Sequence, residues 1–204
     1  MRAVSSSYQK IRSEKIVLIG AASSGKTSLV NRFINDKFNA TSEATIGAAF
    51  MNKTIKVDGT DIKLEIWDTG GSEKYRSLAP MYYRDARAAV VVFDVTSTAS
   101  FTEALEWITE FREKSQTGSI VVAAANKCDL ESERKVTFEE AQDFAFSNQL
   151  ELIKETSALS GYNVTDLFQE LGKQLLLLAP QSNGDDIEIA DIAQPPQEAK
   201  KECC

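Results

Sequence analysis

The chain of 204 residues contains no histidine and only three cysteines. The absence of histidine excludes imidazole-based acid–base catalysis and metal sites with imidazole ligands. Cys128 is internal while Cys203 and Cys204 end the chain, so we expect no disulfide framework and a cytosolic setting. No apolar run reaches the roughly 20 residues that a membrane-spanning helix requires. Residues 1–13 also lack the apolar stretch of a secretory signal.

Basic residues are outnumbered by acidic ones, 23 against 30, which gives a net charge of −7. Such a balance argues against nucleic acid as the main partner, because a phosphate backbone requires a basic surface. The hydrophobic content of 43% is sufficient for a packed core. The length fits one domain followed by a tail.

The most informative stretch covers residues 16–30. An apolar run ends at Gly20, the pattern Gly-x-x-x-x-Gly-Lys-Thr follows, and a helical segment comes next. This is a phosphate-binding loop in its strand–turn–helix context, where backbone N–H groups and the helix dipole attract anions. Gly20 and Gly25 permit a close backbone approach that a Cβ would block. We expect Lys26 to reach the β- and γ-phosphates and the Thr27 hydroxyl to ligate Mg²⁺; the alternative is a chance glycine turn.

Apolar strands alternate with amphipathic helices along most of the chain. Strands are predicted at residues 15–19, 48–57, 60–68, 88–94, 120–125 and 151–155, with helices between them and a last helix from residue 164. Capping boxes that start at Ser100 and Thr137 predict two of the helix starts. The pair Asp58-Gly59 predicts an antiparallel hairpin. We therefore expect an α/β fold with a six-stranded, mainly parallel sheet, one antiparallel edge strand, and helices on both faces.

In a parallel sheet, ligands bind beyond the carboxyl ends of the strands. Gly20, Asp68, Asn126 and Ser157 each follow a predicted strand, so we expect them to converge on one site. We divide the chain into a flexible N-terminal segment 1–14, a nucleotide-binding domain 15–179 and a tail 180–204. The tail holds three of the four prolines, no aromatic residue, and six acidic residues against two lysines, which predicts disorder.

Two further motifs concern the phosphates. Residues 68–71 read Asp-Thr-Gly-Gly after an apolar strand, which fits an aspartate in the Mg²⁺ shell and a Gly71 N–H that meets the γ-phosphate. Thr45 lies in a loop, and its hydroxyl can close onto Mg²⁺ only while a γ-phosphate holds that loop. The alternative for Thr45 is an ordinary loop threonine.

Two more motifs concern the base. Residues 126–129 read Asn-Lys-Cys-Asp, and the Asp129 carboxylate can accept two N–H donors from one edge of guanine. Adenine lacks these donors and would leave the carboxylate unpaired, so the site discriminates between the bases. Backbone N–H groups of residues 155–158 could meet the guanine O6. Phe38 could lie against the base, or it could be a core residue.

Together and in this order, these motifs resemble the five signature motifs of Ras-like small GTPases. Residues 45–50, 67–69, 82–84 and the final Cys203-Cys204 resemble the Rab family, and residues 46–50 are most similar to its early-endosomal branch. The resemblance implies a GTPase that cycles between GTP and GDP with Mg²⁺ and regulates vesicular traffic. It also implies residence on the cytoplasmic face of endosomal membranes, with a soluble cytosolic pool.

The resemblance also implies roles for individual residues. It assigns GTP contacts to Ala22, Ser23, Ser24, Gly25, Lys26, Thr27, Ser28, Phe38, Thr45, Gly71, Asn126, Lys127, Asp129, Ser157, Ala158 and Leu159. It assigns Mg²⁺ ligation, partly through water, to Thr27, Thr45 and Asp68, and catalytic positions to Lys26, Thr45 and Ser72. It assigns an effector surface to Ile46, Phe50, Trp67 and Tyr82, although core packing also explains the three aromatic residues.

The resemblance implies that the protein is a molecular switch controlled by the bound nucleotide and that it acts through partner proteins. Loss of the γ-phosphate releases the loops that contain Thr45 and Gly71. The implied partners are an exchange factor, an activating protein, effectors and a prenyl-binding chaperone. Cys203 and Cys204 would both be prenylated, and two lipid chains give stable anchoring where one does not. The alternative for these cysteines is a free reactive pair.

The chain departs from the family at Ser72, where most members carry the glutamine that orients the attacking water. A serine hydroxyl has a shorter reach, so we expect slow intrinsic hydrolysis. Gly70 replaces an alanine and adds backbone freedom. Two other interpretations stay open: a hydrolysis-deficient scaffold that remains GTP-bound on a membrane, and a P-loop phosphotransferase. The latter needs neither the base-recognition motif nor the terminal cysteines.

Overall fold

The computed structural model describes residues 11–41, 43–72 and 78–179. The predicted disordered tail and its two cysteines lie outside the described residues. The strands are β1 (Arg12–Ile19), β2 (Ala48–Val57), β3 (Thr60–Thr69), β4 (Ala88–Asp94), β5 (Ile120–Asn126) and β6 (Leu152–Thr156). The helices are α1 (Lys26–Asn35), α2 (Ala79–Tyr83), α3 (Thr98–Lys114), α4 (Phe138–Ser147) and α5 (Val164–Leu177), with a 3₁₀ turn at Glu131–Glu133.

The six strands form one sheet in the order β2-β3-β1-β4-β5-β6. All neighbours pair in parallel except β2, which runs antiparallel to β3 at the edge. Asp58 and Gly59 join these two strands, and both have positive φ, 46° and 86°, as a type I′ hairpin turn requires. The predicted fold class, the hairpin and its place at the sheet edge are therefore confirmed.

Helices cover both faces of the sheet and bury two hydrophobic clusters. On one face α1 and α5 pack over the sheet, where Phe33 stacks on Phe168 with 3.9 Å between the ring centroids. On the other face α2, α3 and α4 contribute residues such as Tyr83 and Phe111. Every residue of β4 and β5 is buried because these strands are covered on both sides. Among the described residues, no helix has both the length and the apolar character needed to cross a bilayer.

The predicted start of α3 is wrong, whereas that of α4 is confirmed. Helix α3 begins at Thr98, and its N-cap is Ser97, whose hydroxyl accepts from the Ser100 N–H. Ser100 is instead buried within the first turn, where its hydroxyl accepts from the Asp94 N–H at 3.0 Å. The contact with the end of β4 therefore decides between two possible capping serines. Helix α4 has the expected capping box at Thr137.

Strand β1 starts at Arg12, three residues before the predicted position, so residues 12–14 do not belong to a flexible N-terminal segment. Glu14 is 2% exposed and forms ion pairs with Arg12 and Arg87. Arg12 donates to the carbonyl of Leu175 at 2.7 Å, and Arg87 donates to that of Ala179 at 2.8 Å. The group Arg12–Glu14–Arg87, which we call the arginine clamp, holds the end of α5 against the amino ends of β1 and β4.

Candidate functional site

A cavity of about 660 Å³ opens at the carboxyl ends of the parallel strands. This volume is typical of sites for small ligands. Five separate stretches of the chain supply its walls, as the strand ends predict. The lining includes Ala22, Ser23, Gly25, Lys26, Thr27, Ser28, Phe38, Thr45, Ile46, Gly71, Ser72, Asn126, Lys127, Asp129, Ala158 and Leu159.

Lys26 is the buried cation of this cavity. It is 5% exposed, and its Nζ donates to the carbonyls of Gly20 and Ala21 at 2.8 Å each. These bonds curl the loop around the ammonium group at the start of α1. Desolvation by burial lowers the Lys26 pKa to about 8, and the nearby Asp68 carboxylate partly offsets the effect. An anion in the cavity would find a positive charge that few water molecules screen.

Two glycines are required where the backbone comes close to other groups. A Cβ on Gly25, whose φ is 97°, would lie 2.2 Å from the Asn126 Nδ2. A Cβ on Gly71 would lie 2.5 Å from both the Ala22 nitrogen and the Lys26 Nζ. The Gly71 backbone therefore packs directly over the phosphate-binding loop, which only a residue without a side chain can do.

Three oxygen-bearing side chains meet beside Lys26. The Thr27 Oγ1 donates to the Asp68 Oδ2 at 2.6 Å and lies 2.8 Å from the Thr45 Oγ1. The other carboxylate oxygen, Asp68 Oδ1, is buried and has no hydrogen-bond partner among the residues that the structure describes. Desolvation raises the Asp68 pKa, while the hydrogen bond from Thr27 and the charge of Lys26 oppose the shift. Hydroxyls, a carboxylate and an unpartnered buried oxygen are the chemistry of a hard divalent cation such as Mg²⁺.

Asn126 connects the phosphate-binding loop to the loop after β6. Its Nδ2 donates to the Ser24 carbonyl at 2.9 Å, and its Oδ1 accepts from the Thr156 hydroxyl and the Ala158 N–H at 3.3 Å. Asp129 lies nearby on the cavity wall. The base-recognition motifs are thus brought together, while their contacts with a base stay predictions.

Two charged residues support this end of the cavity and were missed from sequence. Asp94 ends β4, and its Oδ2 pairs with the Lys127 Nζ at 2.7 Å, which fixes the lysine that lines the wall. Hydrogen bonds from Lys127 and Thr96 outweigh desolvation and lower the Asp94 pKa. The position of Asp94, as the last residue of an otherwise apolar strand, was the available signal. Arg32 of α1 contacts the loop after β6 and carried no comparable signal.

Most of the predicted ligand contacts line the cavity, with three exceptions that lie behind its wall. Ser24, Asp68 and Ser157 are buried; Ser24 offers its carbonyl to Asn126, and the Ser157 hydroxyl accepts from the Ser160 N–H at 3.0 Å. Phe38 lies on the cavity wall and is 37% exposed, so it is not a core residue.

Three of the proposed effector residues, Phe50, Trp67 and Tyr82, form a continuous aromatic row outside the cavity, whereas Ile46 lines the cavity wall. The ring centroids of Phe50 and Trp67 are 5.3 Å apart, and those of Trp67 and Tyr82 are 5.8 Å apart. Trp67 and Tyr82 pack partly against the core, whereas Phe50 is 49% exposed and Ile46 is 80% exposed. The row is thus part core and part surface, and its role as an effector surface stays a prediction.

The residues fit a nucleoside phosphate with a divalent cation. The buried ammonium and the phosphate-binding loop would hold the phosphates, the hydroxyl–carboxylate group would hold the cation, and Asp129 would face the base. A comparison with models of known protein families matches residues 15–177 to the Ras family.

Proposed function

Because this chain belongs to the Ras family of small GTPases, we propose that it is a Rab-type switch that regulates endosomal membrane traffic. Ras-family GTPases bind GTP or GDP together with Mg²⁺ and work with exchange factors, activating proteins and effectors. The finer assignment to endosomal traffic, with a prenyl-binding chaperone as an additional partner, is our proposal.

The observation that best supports a switch is the position of the aromatic row between the two loops that respond to nucleotide. The first of these loops contains Thr45 and leads into β2, and the second begins at Gly70 directly after β3. The Gly70 N–H donates to the Gly47 carbonyl at 2.8 Å, so the ends of the two loops are tied together. Phe50 and Trp67 are register partners on β2 and β3. A change in either loop would alter the surface that the row presents to an effector.

We assign the roles of the site residues from this geometry. Lys26 neutralises phosphate charge, and Thr27, Thr45 and Asp68 hold Mg²⁺. Asp129 accepts hydrogen bonds from the guanine edge. Bound Mg²⁺ and GTP supply the electrophilic phosphorus and part of the charge neutralisation. Ser72 lines the cavity at the position of the water-orienting glutamine, and its short side chain supports slow intrinsic hydrolysis and a long-lived GTP state.

The pH dependence of nucleotide affinity tests the role of Lys26. Because phosphates favour the charged ammonium, binding raises the Lys26 pKa above its value of about 8 in the free protein. The nucleotide affinity is therefore highest below the free-protein pKa of about 8. It falls as the pH rises above that value, by up to about tenfold per pH unit. Equilibrium titration with GDP between about pH 7 and about pH 9, at constant Mg²⁺, would measure this fall. Lys26→Met should bind more weakly and lack the slope; equal slopes in both proteins would contradict the assignment.

The two terminal cysteines test the membrane part of the proposal. In cells, the full chain should appear on endosomes that take up a fluid-phase tracer, and it should float with membranes in a density gradient. Replacing Cys203 and Cys204 by serine should leave the protein wholly soluble, because the acidic tail is repelled by an anionic leaflet. A matched variant that replaces Lys200 and Lys201 by glutamine should still float. Flotation of the double-serine variant, or residence of the intact chain on another organelle, would contradict the proposal.

A further inference from the structure

Arg32 of α1 joins two loops that border the cavity. Its Nε donates to the Ala158 carbonyl at 2.9 Å, and its Nη2 donates to the Leu159 carbonyl at 2.8 Å. Its Nη1 donates to the backbone carbonyl of Asp36 at 3.0 Å and to the Asp36 carboxylate at 2.9 Å. The Arg32 side chain is 17% exposed and its bond to the Ala158 carbonyl is partly buried, whereas the Asp36 side chain is 93% exposed and its contact with Arg32 is open to water. One planar group thus holds residues that are more than a hundred positions apart in sequence.

The first of these loops, residues 156–159, lies at the base end of the cavity and is held from two sides. On the inner side Asn126 accepts hydrogen bonds from Thr156 and Ala158 at 3.3 Å. On the outer side the bonds from Arg32 are shorter and come from a charged donor, which makes them the stronger ones. Arg32 therefore contributes to the position of the Ala158 N–H, the group that we expect to face the guanine O6.

The second loop begins at Asp36 and ends at residue 47, and its described residues are 36–41 and 43–47. Asp36 caps the C-terminus of α1 with φ of 52°, and its N–H donates to the Arg32 carbonyl at 3.0 Å. Backbone and side chain of Arg32 therefore hold Asp36 together. The same loop continues to Phe38 on the cavity wall and to Thr45 beside Thr27.

We propose that Arg32 is a positioning residue that couples the loop 156–159 to the start of the loop 36–47 and thereby sets how long guanine nucleotide stays bound. A guanidinium suits this task because its planar fork engages both loops at fixed angles. The coupling is reciprocal, so a nucleotide that orders the base end also orders the beginning of the loop that contains Thr45. This inference rests on the proposed guanine-nucleotide site.

The test uses the full chain loaded with fluorescent N-methylanthraniloyl-GDP and follows its release into excess GDP. Arg32→Gln should release the nucleotide about tenfold faster than the unaltered protein, a size typical of coupling between sites. Arg112→Gln is the matched control. Arg112 also donates to two successive carbonyls, those of Asn148 and Gln149, at 2.7 and 3.0 Å, but these residues do not line the cavity. Its release rate should equal that of the unaltered protein.

A second readout separates positioning from general stabilisation. In 6-thio-GDP, sulfur replaces the guanine O6 and accepts hydrogen bonds poorly, so the unaltered protein should release it faster than GDP. The ratio of the two release rates should move towards one in Arg32→Gln and stay unchanged in Arg112→Gln. Equal GDP release from both variants, or an unchanged ratio in Arg32→Gln, would overturn the inference. Failure of the unaltered protein to bind the fluorescent GDP would instead reject the proposed function.

Discussion

Asp129→Asn should convert the site from a guanine site into a xanthine site. The carboxylate can accept two N–H donors from guanine, whereas an asparagine amide offers one acceptor and one donor. Xanthine presents the complementary pair, one N–H and one carbonyl. We expect the ratio of the GDP to the XDP dissociation constant to change by about 10⁴-fold, since sites built on such hydrogen bonds reject mismatched ligands strongly. Competition of GDP and XDP against a fluorescent nucleotide would measure both constants.

A control for this experiment must remove the same charge elsewhere. Asp143 is an exposed carboxylate on α4, so Asp143→Asn changes the net charge equally without altering the cavity wall. This variant should keep the preference for GDP. If Asp129→Asn also prefers GDP, the Asp129 carboxylate does not recognise the base, and the guanine-specific part of the assignment fails.

Ser72→Gln should accelerate intrinsic GTP hydrolysis, by roughly 10²-fold if the amide orients the attacking water as a positioned polar group. The structure has room for the longer side chain. Ser72 borders both the main cavity and an adjoining pocket of about 330 Å³, whose walls include Ala22, Gly71 and Glu103. The expected cause of the change is reach, because the serine oxygen ends two bonds from the backbone and the glutamine amide ends four. Single-turnover hydrolysis of preloaded GTP would measure the rate.

Ser72→Ala tests whether the serine hydroxyl is merely too short to hold the attacking water or itself takes part in hydrolysis. If the serine hydroxyl is too short to hold the water, removing it should leave the slow rate unchanged. A rate that falls further in Ser72→Ala would show that the hydroxyl takes part in hydrolysis. No acceleration in Ser72→Gln would contradict our interpretation of the site. Both variants should keep the GDP affinity of the unaltered protein, which checks that the cavity is intact.

The parts of the fold that sequence predicts are those that depend on local patterns. The phosphate-binding loop, the Asp58-Gly59 turn and the capping box at Thr137 are each specified within a few residues. The apolar stripe of α5, residues Val164, Leu167, Phe168, Leu171 and Leu175, is buried as predicted. The carboxyl ends of the strands also converge, so the place of the site followed from topology alone.

The errors and omissions involve tertiary contacts that the local sequence pattern does not show. Ser97 and Ser100 are equivalent capping residues in sequence, and only the packing of Ser100 against Asp94 distinguishes them. The polar start of β1 shows no strand pattern, because its pairing depends on β3 and on ion pairs of Glu14. Arg32 resembles any charged residue on a helix until the loop after β6 is placed beside it.

The arginine clamp lies at the end of the sheet away from the nucleotide cavity. Strand β1 separates the clamp from the phosphate-binding loop, and its eight residues span roughly 25 Å. Ala179, the last described residue, therefore lies at one end of the domain, whereas the proposed phosphate site lies at the other. If the chain is attached to a membrane through its last residues, the attachment begins at the end of the domain opposite the nucleotide site, so nucleotide exchange and partner binding leave it undisturbed.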